Sequence, residues 1–165
     1  MKNRISSIQA MKGLDILQGV DEAVREGHPA DVALSRIFKA SPSFGARDRR
    51  FYAGMVYAWY RWRGWTDPEA RADAVGVLGA MLQEAYELDD HLRALAHEAS
   101  VAKERLQPAG EMDWTARAAA VAQLRGLEQP PALELLAPAW VGGQVAFEGP
   151  EREAWYRALQ VRPPV

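Results

Sequence analysis

The apolar positions of the chain recur at helical spacing from its first residues. In the first window, apolar and small residues three or four positions apart predict a helix that ends at Gly27. Pro29 suits the first turn of a second helix, which the segment SPSFG then breaks. The apolar faces consist of Gly13, Ile16, Leu17, Val20 and Val24 in the first helix, and of Ala30, Leu34, Ile37 and Phe38 in the second.

A third and a fourth helix are predicted on either side of Gly64. The stretch ARDRRFYAGMVYAWYRWRGW, residues 46–65, keeps the helical period and ends near Gly64. A strong start signal follows, with Asp67 as N-cap and Pro68 in the first helical position. Gly76 and Gly79 leave room for a neighbouring helix to approach this fourth helix closely. Its predicted apolar stripe is Val75, Leu78, Leu82 and Tyr86.

A fifth and a sixth helix follow in the second half of the chain. The fifth is closed by Pro108 and Gly110, and the sixth begins near Asp113 and runs through Val121. The face of the fifth helix consists of Leu92, Leu95, Ala96, Ala99 and Leu106. Each pattern is long enough to count as a helix of ordinary length.

The chain ends with one more predicted helix beyond Pro130 and Pro131. It covers residues 151–161, buries Trp155 and Leu159, and stops at the extended sequence RPPV. No window alternates with a period of two for long, although residues 141–147 are compatible with one short strand. The predicted fold class is therefore all-α, a single-domain bundle of seven or eight helices.

Composition narrows the range of functions. The 165 residues contain no cysteine, which excludes disulfides, thiolate metal sites and thiol nucleophiles and is consistent with the cytoplasm. The chain has no run of about 20 apolar residues and no signal-peptide pattern, so we expect no membrane partner. Residues 1–65 carry eleven Lys and Arg against six Asp and Glu, whereas residues 66–165 carry nine against sixteen. This asymmetry favours a local site for a polyanion.

The third helix separates its aromatic rings from most of its arginines. At 100° per residue, one broad side of residues 46–65 is a core face made of Phe51, Tyr52, Met55, Val56, Trp59 and Trp62. The other side carries the candidate binding residues Arg47, Arg50, Gly54, Tyr57 and Arg61, within about 80° of arc. Arg49 and Arg63 lie near the helix ends, where they can extend along apolar surface or pair with a carboxylate such as that of Asp48.

The arginine side has two interpretations. It is either an ordinary solvated or salt-bridged face, or a binding surface for an anion. Asp48 is the only carboxylate residue between Arg47 and Arg63, whereas solvated helices usually interleave charges of both signs. This shortage of acid favours the binding surface.

Motifs near both ends of the chain resemble one family. Within ADVALSRIFKASPSFGARDRRFYAGMVYAWYRW, the pairs Ala33-Leu34, Asp48-Arg49 and Val56-Tyr57, together with Arg61, are similar to the N-terminal region of Sun/Fmu-type RNA cytosine-5 methyltransferases. The segment LAPAWVGGQVAFEGPEREAWYRALQVRPPV is similar to the linker of that family through Pro138, Trp140, Trp155, Arg162, Pro163 and Pro164. The family segment usual between these motifs is not found in residues 87–129.

The resemblance implies a division of the chain and a function. Residues 1–130 would form a helical RNA-binding domain similar to the antitermination factor NusB, and residues 131–165 a helical linker towards a methyltransferase domain. The implied partners are structured RNA, in this family rRNA, and that catalytic domain. S-adenosylmethionine is implied for the parent enzyme, whereas this chain has neither a cysteine nucleophile nor a glycine-rich cofactor turn after a strand.

Other functions remain open from the sequence. A standalone antitermination-type RNA-binding protein and a purely structural interaction domain with an acidic C-terminal half are the two alternatives. We expect no catalytic, cofactor or metal site in this chain. Neither the set Glu84, Glu87 and His91 nor the pair His91 and His97 makes a convincing metal site. The two histidines are six residues apart and do not lie on the same face of a helix. Gly142 and Gly143 follow a helix signal, so they do not indicate a nucleotide loop.

Overall fold

The computed structural model describes residues 2–67, 69, 71–138, 141, 144, 146 and 148–160. This part of the chain contains seven α-helices and no strand, which confirms the all-α fold class. The helices are α1 (Lys2–Arg25), α2 (Ala30–Ala40), α3 (Ala46–Thr66), α4 (Ala74–Glu84), α5 (Asp90–Glu98), α6 (Trp114–Arg125) and α7 (Gly149–Leu159). Two 3₁₀ turns, Lys103–Arg105 and Leu133–Leu136, complete the described elements. No helix in these ranges is long and apolar enough to cross a bilayer.

Helix α3 lies at the centre of the bundle. It packs against α1, α4 and α6, and α1 also packs against α2 and α5. Contacts at Gly13 with Met55 and at Asp21 with Tyr60 follow the same order along α1 and α3, so the two helices run parallel. The central position of α3 fixes one of its sides in the core and leaves the other towards solvent.

Two glycines let α4 approach α3 closely. A Cβ atom at Gly76 would lie 2.8 Å from the Cβ of Asp67, and one at Gly79 would lie 2.9 Å from the Cβ of Thr66. Real Cβ atoms essentially never make contacts below 3.0 Å, so only glycine fits without a shift. The predicted close approach at these two positions is confirmed.

The predicted start of α4 at Asp67 is wrong. Asp67 follows the last residue of α3, and its buried carboxylate accepts hydrogen bonds from the backbone N–H groups of Arg71 at 2.6 Å and Ala72 at 2.9 Å. The N-cap of α4 is Asp73, six residues later, and it accepts a hydrogen bond from the N–H of Gly76 at 2.8 Å. Both aspartates bind backbone N–H groups. Pro68 lies outside the described residues.

The predicted ends of α4 and α5 also change. Helix α4 stops at Glu84, so Tyr86 lies in the following loop with 74% of its surface exposed. Helix α5 stops at Glu98, and Ser100 adopts a φ of 53°, in the left-handed region that ends helices. Leu106 is buried as predicted, but it belongs to the irregular segment after the first 3₁₀ turn. The predicted sixth helix is confirmed and extends to Arg125, with Asp113 as its N-cap.

The C-terminal elements rest on α3. The turn Leu133–Leu136 crosses α3 so closely that a Cβ atom at Gly64 would lie 1.7 Å from the carbonyl oxygen of Leu135. The indole N–H of Trp65 donates to the carbonyl of Ala132 at 2.8 Å and holds this crossing in place. Helix α7 packs against the same turn.

The buried residue of α7 differs from the prediction. Tyr156 is 1% exposed, Trp155 is half-buried and Leu159 is 48% exposed, so the core face of α7 is rotated from the predicted one. Of residues 141–147, where one short strand was possible, only 141, 144 and 146 are described and none of them is in a strand, while Gly142 and Gly143 lie outside the described residues. The same holds for the motif residues Trp140, Arg162, Pro163 and Pro164.

Candidate nucleic-acid interface

Asp48 begins α3. Its carboxylate accepts a hydrogen bond from the backbone N–H of Gly45 at 3.2 Å, the reach-back contact that satisfies a free donor at a helix start. The side-chain amide of Gln9 donates to the other carboxylate oxygen at 2.7 Å and ties this end of α3 to α1. A carboxylate is also favourable in the first helical turn because of the helix dipole. Asp48 is thus held by the backbone and by α1 rather than by Arg49.

The core face of α3 is confirmed. Met55, Val56 and Trp59 are 0% exposed, and Tyr52 and Trp62 are nearly as buried. Phe51 is half-buried at the edge of this face and stacks on His91 with a centroid distance of 4.2 Å. The large apolar area buried on this side fixes the rotation of α3 about its axis. It thereby decides which residues face solvent.

Four of the five candidate residues share the solvent side of α3. Arg47, Arg50, Gly54 and Tyr57 are exposed, Tyr57 by 46% of its surface. A Cβ atom at Gly54 would meet nothing within 4 Å, so the backbone there is open to approach. Within the described part of the chain, neither Arg47 nor Arg50 makes an ion pair or a side-chain hydrogen bond.

The fifth candidate, Arg61, is held by another helix. Its guanidinium forms an ion pair with Glu84, the last residue of α4, and the Arg61 side chain is 22% exposed. The indole N–H of Trp62 donates to the same carboxylate oxygen of Glu84 at 3.2 Å. The charge of Arg61 is therefore compensated inside the fold, unlike those of Arg47 and Arg50.

The two remaining arginines of α3 lie along aromatic rings. Arg49 donates through Nε to the carbonyl of Phe44 at 3.0 Å, and its guanidinium carbon lies 5.9 Å from the ring centroid of Phe38. Arg63 lies 5.2 Å from the ring centroid of Trp59 and 5.0 Å from that of Tyr60. At these distances the rings attract the cations. Of the two predicted arrangements, extension along apolar surface is the one observed.

Sequence reasoning missed Arg117, which binds the segment between α5 and α6. Its guanidinium donates to the carbonyls of Gly110 at 2.9 Å, of Met112 at 3.0 Å and of Gln83. The guanidinium carbon also lies 5.5 Å from the ring centroid of Trp62. Burial lowers the pKa of Arg117, while the nearby Tyr86 and Glu84 act against this shift. The sequence did contain one indication of this role. Residues 106–113 have no helical pattern, so their backbone carbonyls need hydrogen-bond donors from elsewhere, such as a nearby arginine.

Two further arginines hold helix ends together. Arg105 donates through Nε to the carbonyl of Gln123 at 3.0 Å and also binds the carbonyl of Leu124, near the end of α6. Arg125 binds the carbonyl of Trp65, and burial lowers its pKa. Free carbonyls at helix C-termini are natural partners for cations. These two arginines thus hold the C-terminal ends of α6 and α3 in place.

A groove runs along one side of the exposed α3 residues. Arg50, Phe51 and Gly54 form its α3 wall, and its volume is about 400 Å³. The opposite wall combines apolar Met81 and Leu92 with acidic side chains, namely Glu84, Glu87 and Asp89. The solvent side of α3 is therefore bordered by carboxylates towards α4 and α5.

No described residues form a metal centre, since the structure brings together no group of three or more His, Asp or Glu side chains within its described ranges. Comparisons of the chain with protein-family models, curated proteins and solved structures find no match. The resemblance to the Sun/Fmu-type methyltransferases therefore stays a prediction that rests on its own motif residues.

Proposed function

We propose that the chain is an RNA-binding helical module whose contact surface is the solvent side of α3. In this proposal Arg47 and Arg50 contact phosphates, and Tyr57 offers its exposed ring to an unpaired base. Phosphate contacts provide affinity and set the orientation of the RNA, while stacking tolerates many bases. From Arg47 to Tyr57 the surface spans about 15 Å of helix, enough for two or three nucleotides of a strand.

The single observation that carries the proposal is the different state of the arginines on α3. Three of the five, Arg49, Arg61 and Arg63, are used by the protein's own carbonyls, carboxylates and rings. Arg47 and Arg50 are exposed and have no such partner among the described residues. Because α3 uses three of its five arginines within the fold, the two that it leaves to solvent are available for a separate role.

The wider proposal follows the motif resemblance. Residues 1–130 would present the RNA, and residues 131–165 would lead towards a methyltransferase domain of the parent protein, which would use S-adenosylmethionine on rRNA in the cytoplasm. The packing of Leu133–Leu136 on α3 supports a fixed geometry between the RNA surface and the start of this linker. Such a fixed geometry would let the module orient RNA for chemistry carried out elsewhere.

The experiment is an RNA-binding titration of Arg47→Ala/Arg50→Ala beside a charge-matched control. The control is Arg36→Ala/Arg93→Ala, which removes the same charge from exposed positions on α2 and α5. We expect the α3 variant to weaken binding of a structured RNA at least about tenfold, since each phosphate contact contributes a charge-assisted hydrogen bond. The control should remain within about twofold of the parent.

Equal losses in the two variants would show that the RNA responds only to net charge, and would contradict a site on α3. Circular dichroism of both variants checks that the fold is unchanged. Since exposed arginines rarely stabilise a fold, the melting midpoints should stay within about 2 °C of the parent.

A second candidate function, a protein-interaction domain, is favoured by the groove beside α3. Its apolar residues Met81 and Leu92 and the carboxylates of Glu87 and Asp89 suit a segment with apolar and basic side chains. In the same titration, this candidate predicts no RNA binding by the parent. The third possibility, a standalone antitermination-type protein, shares the RNA surface and differs only in its protein partner.

A further inference from the structure

The N-terminal half of α1 exposes large apolar side chains on the side away from the core. Ile5 is 53% exposed, Ile8 is 61% exposed and Met11 is 40% exposed. The opposite side of the helix is buried, with Ala10, Leu14, Leu17 and Val20 in the core. Single exposed apolar residues need no explanation, but three on one face within seven positions form a patch.

Four of the exposed residues of α1 have the spacing of a coiled-coil seam. Arg4, Ile8, Met11 and Asp15 are separated by four, three and four positions and are all exposed. At 100° per residue they fall within about 60° of arc. Helices with this spacing pack side by side along the seam. The apolar residues Ile8 and Met11 are in the middle of the seam, with the positive charge of Arg4 at one end and the negative charge of Asp15 at the other.

We propose that this seam pairs with the same seam of a second copy of the chain, antiparallel, about a two-fold axis near residues 9 and 10. In this register Ile8 of one copy contacts Met11 of the other, and Arg4 of one copy faces Asp15 of the other. Two-fold symmetry makes each contact occur twice. The seam thus brings opposite charges together and apolar residues together when it pairs with itself.

The charges select the antiparallel orientation. A parallel pair would place Arg4 against Arg4 and Asp15 against Asp15, and like charges in contact are unfavourable. Within the described part of the chain, neither Arg4 nor Asp15 has an ion-pair partner of its own. Both charges are therefore available for the second copy.

The short seam sets the strength of the association. From Arg4 to Asp15 it is about 17 Å long, which corresponds to a contact at the small end of specific interfaces. We expect a reversible dimer with a dissociation constant on the order of 10⁻⁴ M. The pairing does not depend on RNA and does not involve the exposed residues of α3.

Sedimentation equilibrium of the full chain, from about 5 µM to 1 mM, tests the proposal. The parent should move from monomer to dimer over this range, and Ile8→Asp should remain a monomer. Val32→Asp is the matched control, because it places the same charge on an exposed apolar position of α2, 38% exposed. This control should associate like the parent.

Charge reversal tests the register. Arg4→Asp and Asp15→Arg should each weaken dimerisation at least about fivefold, since each creates two like-charge contacts. The double variant Arg4→Asp/Asp15→Arg restores both pairs and should return to within about twofold of the parent. A parent that stays monomeric at 1 mM would overturn the pairing and leave the face to a different partner. A dimer that ignores the reversals would overturn the register.

Discussion

Gly54 and Gly64 both lie in α3, but the space around them differs, so the same change to alanine should have opposite effects on stability. Replacing glycine by alanine inside a helix favours the folded state by up to about 1 kcal/mol. At Gly54 nothing lies within 4 Å of the new Cβ atom, so we expect Gly54→Ala to raise the unfolding free energy by about that amount. At Gly64 the new Cβ atom would lie 1.7 Å from the carbonyl oxygen of Leu135.

The cost at Gly64 can be worked out from what the turn Leu133–Leu136 would lose. The turn must move by about 1.5 Å or more to reach normal contact distance. That movement breaks the 2.8 Å hydrogen bond from Trp65 to Ala132, worth about 0.5–1.5 kcal/mol, and loosens the buried Leu136, worth up to about 2 kcal/mol more. These losses reach up to about 3.5 kcal/mol, so after the helix gain of about 1 kcal/mol is subtracted Gly64→Ala should destabilise the fold by about 1–2.5 kcal/mol.

Thermal unfolding followed by circular dichroism measures both variants against the parent. We expect the melting midpoint to rise by about 2–4 °C for Gly54→Ala and to fall by about 2–10 °C for Gly64→Ala. Stabilisation of similar size in both variants would refute the crossing of the turn over α3. The pair shares one helix and one substitution, so differences in helix propensity cannot explain opposite signs.

Three other substitutions test the buried face of α3, the hydrogen bonds of Arg117 and the ionisation of Tyr60. Trp59→Ala removes a side chain that is 0% exposed and should cost about 3–5 kcal/mol in urea unfolding, whereas a loss below about 1 kcal/mol would mean that the face is misassigned. Arg117→Ala leaves three carbonyls without their donor and should cost about 2–4 kcal/mol, while Arg47→Ala should stay within about 0.5 kcal/mol. Burial and the neighbouring charge of Asp21 raise the pKa of Tyr60 to about 12, so its contribution to stability is complete below about pH 10 and is lost as the pH rises towards 12. Between pH 10 and 12, the unfolding free energy of Tyr60→Phe should therefore fall less than that of the parent. Equal falls in the two proteins would contradict the raised pKa of Tyr60.

Local sequence signals predicted the existence of the helices correctly, but they predicted the ends of the helices less well. The spacing of apolar residues identified all seven described helices, because a helix must bury one stripe. Asp67 and Asp73 illustrate the limit, since both cap backbone N–H groups and only one of them starts α4. Tyr156 shows a second limit: the face that α7 buries depends on a turn distant in the sequence.

The candidate site was predictable as far as it depended on one helix. The rotation of α3 follows from its aromatic side, so the exposure of Arg47 and Arg50 could be predicted from periodicity. The pairing of Arg61 could not, because its partner Glu84 is 23 residues away at the end of another helix. The role of Arg117 depends on two tryptophans and on carbonyls that only the fold brings together.

The salt dependence of RNA affinity tests the proposed surface most directly. Affinities of the parent and of Arg47→Ala/Arg50→Ala are measured at several salt concentrations with RNAs of different sequence. If both arginines contact phosphates, the slope of log affinity against log salt should flatten by about 0.7 per contact, or about 1.4 in the double variant, for every single-stranded sequence. Equal slopes for parent and variant, with the fold intact, would contradict the account and leave the solvent side of α3 without a role in RNA binding.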